Sequence, residues 1–272
     1  MLNRRKVLGA TVVVGVMNLG AAAAWAQAGR KAATPDELQH LIGRATRLSV
    51  LSDRITRCQA QKSLQVLTTR ADKVLVDATD DVRRGLAELT AAGLTDASKA
   101  LVAPALKSYE TFLGHSQQLD VKNAKALGAF AEEADVVGDH MDALVASLIK
   151  DLGQSVAKVL ASTADLQRLT QHTAVHFLMA RLGINEAEQL KEVAEGRKEF
   201  NEKLQVLQAA PLKNPAIEAQ LQLLGPQWLL MANALGQSGN DAKTLENIST
   251  TSERLLEVST SLYALYESAL KA

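Results

Sequence analysis

Ala45-Thr46-Arg47-Leu48-Ser49-Val50-Leu51-Ser52-Asp53-Arg54-Ile55 and Thr163-Ala164-Asp165-Leu166-Gln167-Arg168-Leu169-Thr170-Gln171-His172-Thr173 are two forms of one helix, 118 residues apart. Asn123-Ala124-Lys125 answers Asp241-Ala242-Lys243 at the same offset, as Asp135 answers Glu253 and Leu144 answers Leu262. Tyr109 answers Trp228 with one residue of slippage. A fixed offset kept at separated places is the mark of a tandem repeat. The fold class it predicts is all-α, two tandem four-helix-bundle modules over residues 34–150 and 155–272.

Helical periodicity fills in the elements. Thr34-Pro35-Asp36-Glu37 has a capping threonine, a proline at the first helical position and early acids, which together start a helix. Leu38, Leu41, Ala45, Leu48, Ser52 and Ile55 then recur at spacings of three and four, giving one apolar seam. Arg44, Arg47, Leu51 and Arg54 repeat that spacing about 100° around the helix and form a basic flank. That flank is either a solvated face paired with nearby acids or an anion-recognition face between helices.

Further helices are expected from Gln61 or Asp72 to Thr90, after Pro104, and from Asn123 to Lys150. Repeat two should follow with Leu160 to Ile184, Glu186 to Gln208, Pro215 to Leu235 and Asp241 to Ala269. No proline separates Asn123 from Lys191. The fourth and fifth helices could therefore run on as one shared helix of about 60 residues and about 90 Å, with Gly153 as its weakest point.

The ends and the composition limit function. Arg4, Arg5 and Lys6 precede an apolar run to about Leu19 and small residues ending at Ala28, so residues 1–28 read as an export signal for the Sec or twin-arginine route. Retention as an uncleaved N-terminal anchor is the alternative. The apolar run is short for a membrane span. Removal of the signal leaves 27 of the 30 basic residues against 30 acidic ones, so no basic excess exists to bind nucleic acid. Aromatics are 3% of the chain, the usage of long packed helices with few strands. Cys58 is the only cysteine; no intrachain disulfide can form, and burial as a small apolar residue is expected.

The two motif helices resemble that of the N-terminal sensor domain of type IV pili methyl-accepting chemotaxis transducers, approximately Ala-Gly-Arg-Gln-Arg-Met-Leu-Ser-Gln-Arg-Met. Ala45, Arg47, Leu51, Ser52 and Arg54 keep the family residue in repeat one, and Leu169 and Gln171 in repeat two. The resemblance implies a periplasmic ligand-binding or sensory role. In the related nitrate and nitrite sensor kinases, the motif's second arginine grips the anion across a dimer interface. Ser49 and Gln167 stand in its place here. If a small anion binds, Arg47 and Arg54 are the expected charge partners, with Ser49, Gln167 and Arg168 as neighbouring hydrogen-bonding groups.

No signalling module or membrane span follows the second repeat, so such a protein is expected to act through a partner such as a membrane receptor. Its own repeats can pair as an internal pseudo-dimer. The competing class is a non-enzymatic helical adaptor that docks a membrane receptor, a pilus component or a second copy of itself.

His172 and His176 are four residues apart, a spacing that lets two imidazoles face one metal ion. Further ligands would be needed, and His140 could help only if the fourth helix packs alongside. Metal binding is not expected on this ground, and no cofactor is. The chain has no Gly-rich phosphate loop, zincin pair, nucleophile elbow or haem attachment site, so no catalytic residues are expected either.

Overall fold

The computed structural model describes residues 32–237 and 241–271; the expected export signal lies outside them. The described residues from Ala33 onward belong to one compact unit. It contains eight helices: α1 (Pro35–Ser63), α2 (Thr68–Ala91), α3 (Asp96–Gln118), α4 (Ala124–Leu152), α5 (Gln154–Arg181), α6 (Glu186–Ala209), α7 (Pro215–Leu235) and α8 (Ala242–Lys271). No strand occurs among the described residues. No helix among them is long and apolar enough to cross a membrane.

The repeat register holds in the backbone. The turn after α1 places Gln65 and Leu67 at φ 58° and 49°, and the turn after α5 places Gly183 and Asn185 at φ 72° and 47°, each pair 118 residues apart. In both turns the carbonyl five residues back accepts a closing bond: Val66 N–H donates to Gln61 O and Ile184 N–H to Met179 O, at 2.9 and 3.1 Å. That 6→1 bond is the Schellman stop of a helix. The last helices also start alike, with Asn123 Oδ1 accepting from Ala126 N and Asp241 Oδ1 from Thr244 N.

Helix pairings repeat as well. In the first half α1 packs against α2 and α4, and α4 against α3; in the second half α5 packs against α6 and α8, and α8 against α7. The arrangement is compatible with two four-helix modules. They meet through α1 and α5, the two motif helices, which run side by side and parallel, with Asp53 next to His172. This is the geometry of an internal pair.

The expectation of one shared helix fails at Gly153. Its φ of 100° and ψ of 161° end α4 and begin α5, a backbone conformation that glycine adopts without the Cβ clash. The chain reverses there, so that Asp142 faces Arg168 and Asp135 faces His172 across an antiparallel hairpin. A second boundary also moves. α3 starts at Asp96, not after Pro104, because Thr95 Oγ1 caps it by accepting from Ser98 N. Pro104 sits inside the helix on its exposed side, where water can meet the freed carbonyl.

The start of α1 is the expected capping box: Glu37 Oε2 accepts from Thr34 N at 2.7 Å while Thr34 Oγ1 accepts from Glu37 N. The seam from Leu41 to Ile55 is buried, and so is Cys58. The basic flank is not a free solvated face. Arg44 binds Asp81 and Glu88 on α2, and Arg47 binds Asp81 at 3.0 Å.

Arg54 and Arg57 converge on Glu253 of α8, with Arg57 also donating to the Ser249 carbonyl. Glu253 is 6% exposed and Arg57 1%, so this ion pair joins the two halves out of water. Burial opposes charge on Glu253, but the Arg57 and Arg54 guanidiniums outweigh it and hold its pKa below the usual value. A depressed carboxyl pKa adds stability above its unfolded value, and that contribution disappears as pH falls through the folded value. Glu253→Gln should therefore cost about 3–5 kcal/mol near pH 7, the range for breaking a buried pair. Urea unfolding at several pH values checks it: the gap between wild type and variant should close as pH falls below the ordinary glutamate range.

Candidate functional site

The sequence-derived residues do not assemble into one positive site. Arg47 turns to α2 and Arg54 to α8, each met by a carboxylate. Gln167 is buried and points to the Ser259 carbonyl on α8, 3.5 Å away. Only Ser49 and Arg168 come together, and they do so on Asp142: Ser49 Oγ donates to Oδ1 at 2.7 Å, and Arg168 Nε lies 3.4 Å from Oδ2. A carboxylate of the chain itself fills the place where an anion would sit. An anion arriving there would face Asp142, and at the other two arginines Asp81 or Glu253. The positive charge an anion needs is already compensated.

A cleft of about 370 Å³ opens next to this contact, between α4, α5 and α6 with Asp53 of α1 at its inner wall. Its lining carries seven carboxylates (Asp53, Glu132, Asp135, Asp139, Asp142, Glu188 and Glu192) against one guanidinium, Arg168. His172 and His176 lie within it. One ligand atom each from Asp135, His172 and His176 fall within 4.8 Å of one another.

The helical spacing of four brings the two imidazoles together edge-on, 77° between their planes, with Nε2 3.0 Å from Nε2. Gln189 Oε1 lies 2.6 Å from His176 Nδ1. An amide oxygen only accepts, so His176 carries its proton on Nδ1. The buried Asp53 carboxylate stands 3.6 Å from His172 Nδ1 and Asp135 stands 3.9 Å from it, which draws the His172 proton to Nδ1 too. With His172 protonated on Nδ1 the two bare Nε2 atoms would repel at 3.0 Å, and a proton on His172 Nε2, donated to His176 Nε2, or a metal ion held by both relieves that contact.

Charges in the cleft agree with this. Burial works against an imidazolium at His172, yet the Asp53 carboxylate outweighs it and raises the pKa above the ordinary value. Burial and the charge on His172 push His176 below it. Asp135 is pushed up to about 6 by burial and by the neighbouring Asp53 charge. Burial also raises Asp142, against the pull of Arg168 and Ser49.

Of the histidines weighed from sequence, His172 and His176 are placed together, whereas His140 Nδ1 faces Ser108 at 3.1 Å, outside the cleft. α4 does pack alongside, but it contributes Asp135. Sequence reasoning missed Asp53, Asp135 and Gln189 as site residues. The repeat offset held the signal for one of them: Arg54 and Glu253 correspond to His172 and Asp135, so an ion pair at one joint between the halves predicts a contact between these two at the other.

No family model, curated protein or solved structure matches the chain.

Imidazole proton resonances in chelator-treated protein should show His172 titrating above the ordinary histidine value and His176 below it. In Asp53→Asn the His172 titration should move down. An unchanged His172 in that variant would mean that Asp53 does not hold it charged.

Proposed function

We propose that this chain is an exported, non-enzymatic ligand-binding or sensory accessory protein of the kind the sensor-domain resemblance implies. Its ligand is held in the acidic cleft between the repeats, and its signal passes to a partner. The observation that carries this reading is the convergence of Asp53, Asp135 and the His172–His176 pair at the joint between the two halves. Periplasmic export rests on residues 1–28 alone. The excess of carboxylates favours a small cation over the small anion expected from the motif helices. A ligand touching α4 on one side and α5 and α6 on the other stabilises whichever packing of the repeats keeps those groups together, and a partner that recognises that packing reads its occupancy.

A thermal-shift screen of the full chain against nitrate, nitrite, carboxylates, organic amines, amino acids and divalent metals tests the reading. A ligand at a hundredfold excess over its Kd adds about 2.7 kcal/mol of stability. A cation should raise the midpoint of the wild type and not of the Asp53→Asn, Asp135→Asn double variant, and nitrate should have no effect. An anion shift that disappears in Arg168→Ala would reject the cationic site and restore the anion.

The adaptor reading has one observation in its favour. Leu223, Leu229 and Leu230 of α7 are each more than half exposed, an apolar strip on a surface helix. If it mates with a second copy, sedimentation should show a concentration-dependent dimer that Leu229→Lys, Leu230→Lys abolishes; a monomer at all concentrations removes that version.

A further inference from the structure

We infer that the His172–His176 pair with Asp135 is a binding site for a borderline transition-metal cation of the zinc class, bridging the two repeats. The inference rests on the reading that the cleft is the ligand site and names what it takes. An ion about 2.0–2.1 Å from both Nε2 atoms, the usual zinc–nitrogen distance, fits a nitrogen pair 3.0 Å apart. It subtends an angle of about 94° there, and a tetrahedral site needs the rings to part by only about 0.3 Å. Asp135 supplies the third, anionic ligand from the opposite helix, and water from the open side of the cleft can complete the shell.

The supporting groups are those a metal-bound imidazole uses. Each ligating histidine normally gives its other N–H to a carboxylate or carbonyl oxygen, which fixes the tautomer and the ring. Here Gln189 takes that role for His176 at 2.6 Å, and the Asp53 carboxylate stands 3.6 Å from His172 Nδ1 as its charge partner. Asp53 is 4% exposed, a buried charge aimed into the site. Two imidazoles select against magnesium and calcium, which take oxygen shells.

The pseudo-symmetry of the chain gives the site an origin. Offset by 118 residues, His172 and Asp135 stand where Arg54 and Glu253 form the buried ion pair of the other joint, and His176 stands where Cys58 is buried. One joint carries its positive charge in a guanidinium. At the other, where the two imidazoles meet beside Asp135, a metal ion supplies it.

Isothermal titration of the full chain with Zn²⁺, together with the visible spectrum of the Co²⁺ form, tests this. One ion should bind per chain, magnesium at tenfold excess should not compete, and Co²⁺ should give ligand-field bands that show nitrogen ligation. His172→Ala and His176→Ala should each weaken Zn²⁺ at least a hundredfold, and Asp53→Asn should weaken it ten- to a hundredfold through His172. Circular dichroism confirms that each variant is folded, and the wild-type Co²⁺ spectrum stands even if one is not. Zn²⁺ affinity unchanged in both histidine variants overturns the inference, as does a Co²⁺ spectrum with oxygen ligands alone. An organic amine that binds the cleft where Zn²⁺ does not overturns the metal and leaves the cationic cleft standing; if neither binds, both fall.

Discussion

The parallel packing of α1 against α5 is the constraint on which the rest of the structure depends. α1 is covered by α2, α4 and α5 and touched by α8, so almost none of its circumference reaches water. Polar groups on such a helix must find partners within the protein, because an unpaired buried charge costs several kcal/mol. Arg44 and Arg47 take acids from α2, Arg54 and Arg57 take Glu253 from α8, and Ser49 takes Asp142 from α4. Asp53 is the charge of α1 left facing the second motif helix, and His172 is what meets it.

The two joints between the halves start from the same backbone and end in different chemistry. At α1 and α8 two planar guanidiniums close on one carboxylate. At α5 and α4 the shorter imidazoles cannot fill the gap or carry a permanent charge, and a cleft remains, lined by seven carboxylates against one guanidinium. Arginine is the better choice for a structural clamp because it stays charged and binds carboxylates in a fixed fork. Histidine gives up that permanence and in return offers a lone pair, which is what a metal ion requires.

Much of the fold could be read from the sequence because its signals are local. The cap at Thr34, the stop at residues 182–185 and the apolar spacing along α4 are short-range patterns that lie within a few residues of where they are expected, whereas the stop at 64–67 falls after Gln61, one of the two expected starts of the second helix. The break at Gly153 was visible only as a weak point, since periodicity on either side of a reversal looks the same as in one long helix. Pro104 misplaced the start of α3 because a proline tolerated on an exposed face resembles a helix start. The site was harder to read. The arginines of the motif pointed to an anion, and their neutralisation depends on Asp81, Asp142 and Glu253, which are 26 to 199 residues away along the chain. The spacing of His172 and His176 was legible; the arrival of Asp53 and Asp135 beside them depends on tertiary packing.

The cation proposed at the joint between the repeats would lie between the two imidazoles. Anomalous diffraction at the zinc edge, from crystals of the chain grown with Zn²⁺, tests it most directly. The expected result is one peak per chain about 2.0–2.1 Å from both His172 Nε2 and His176 Nε2, with Asp135 turned toward it. A map with no peak between these rings, or with zinc only at scattered surface carboxylates, would contradict it.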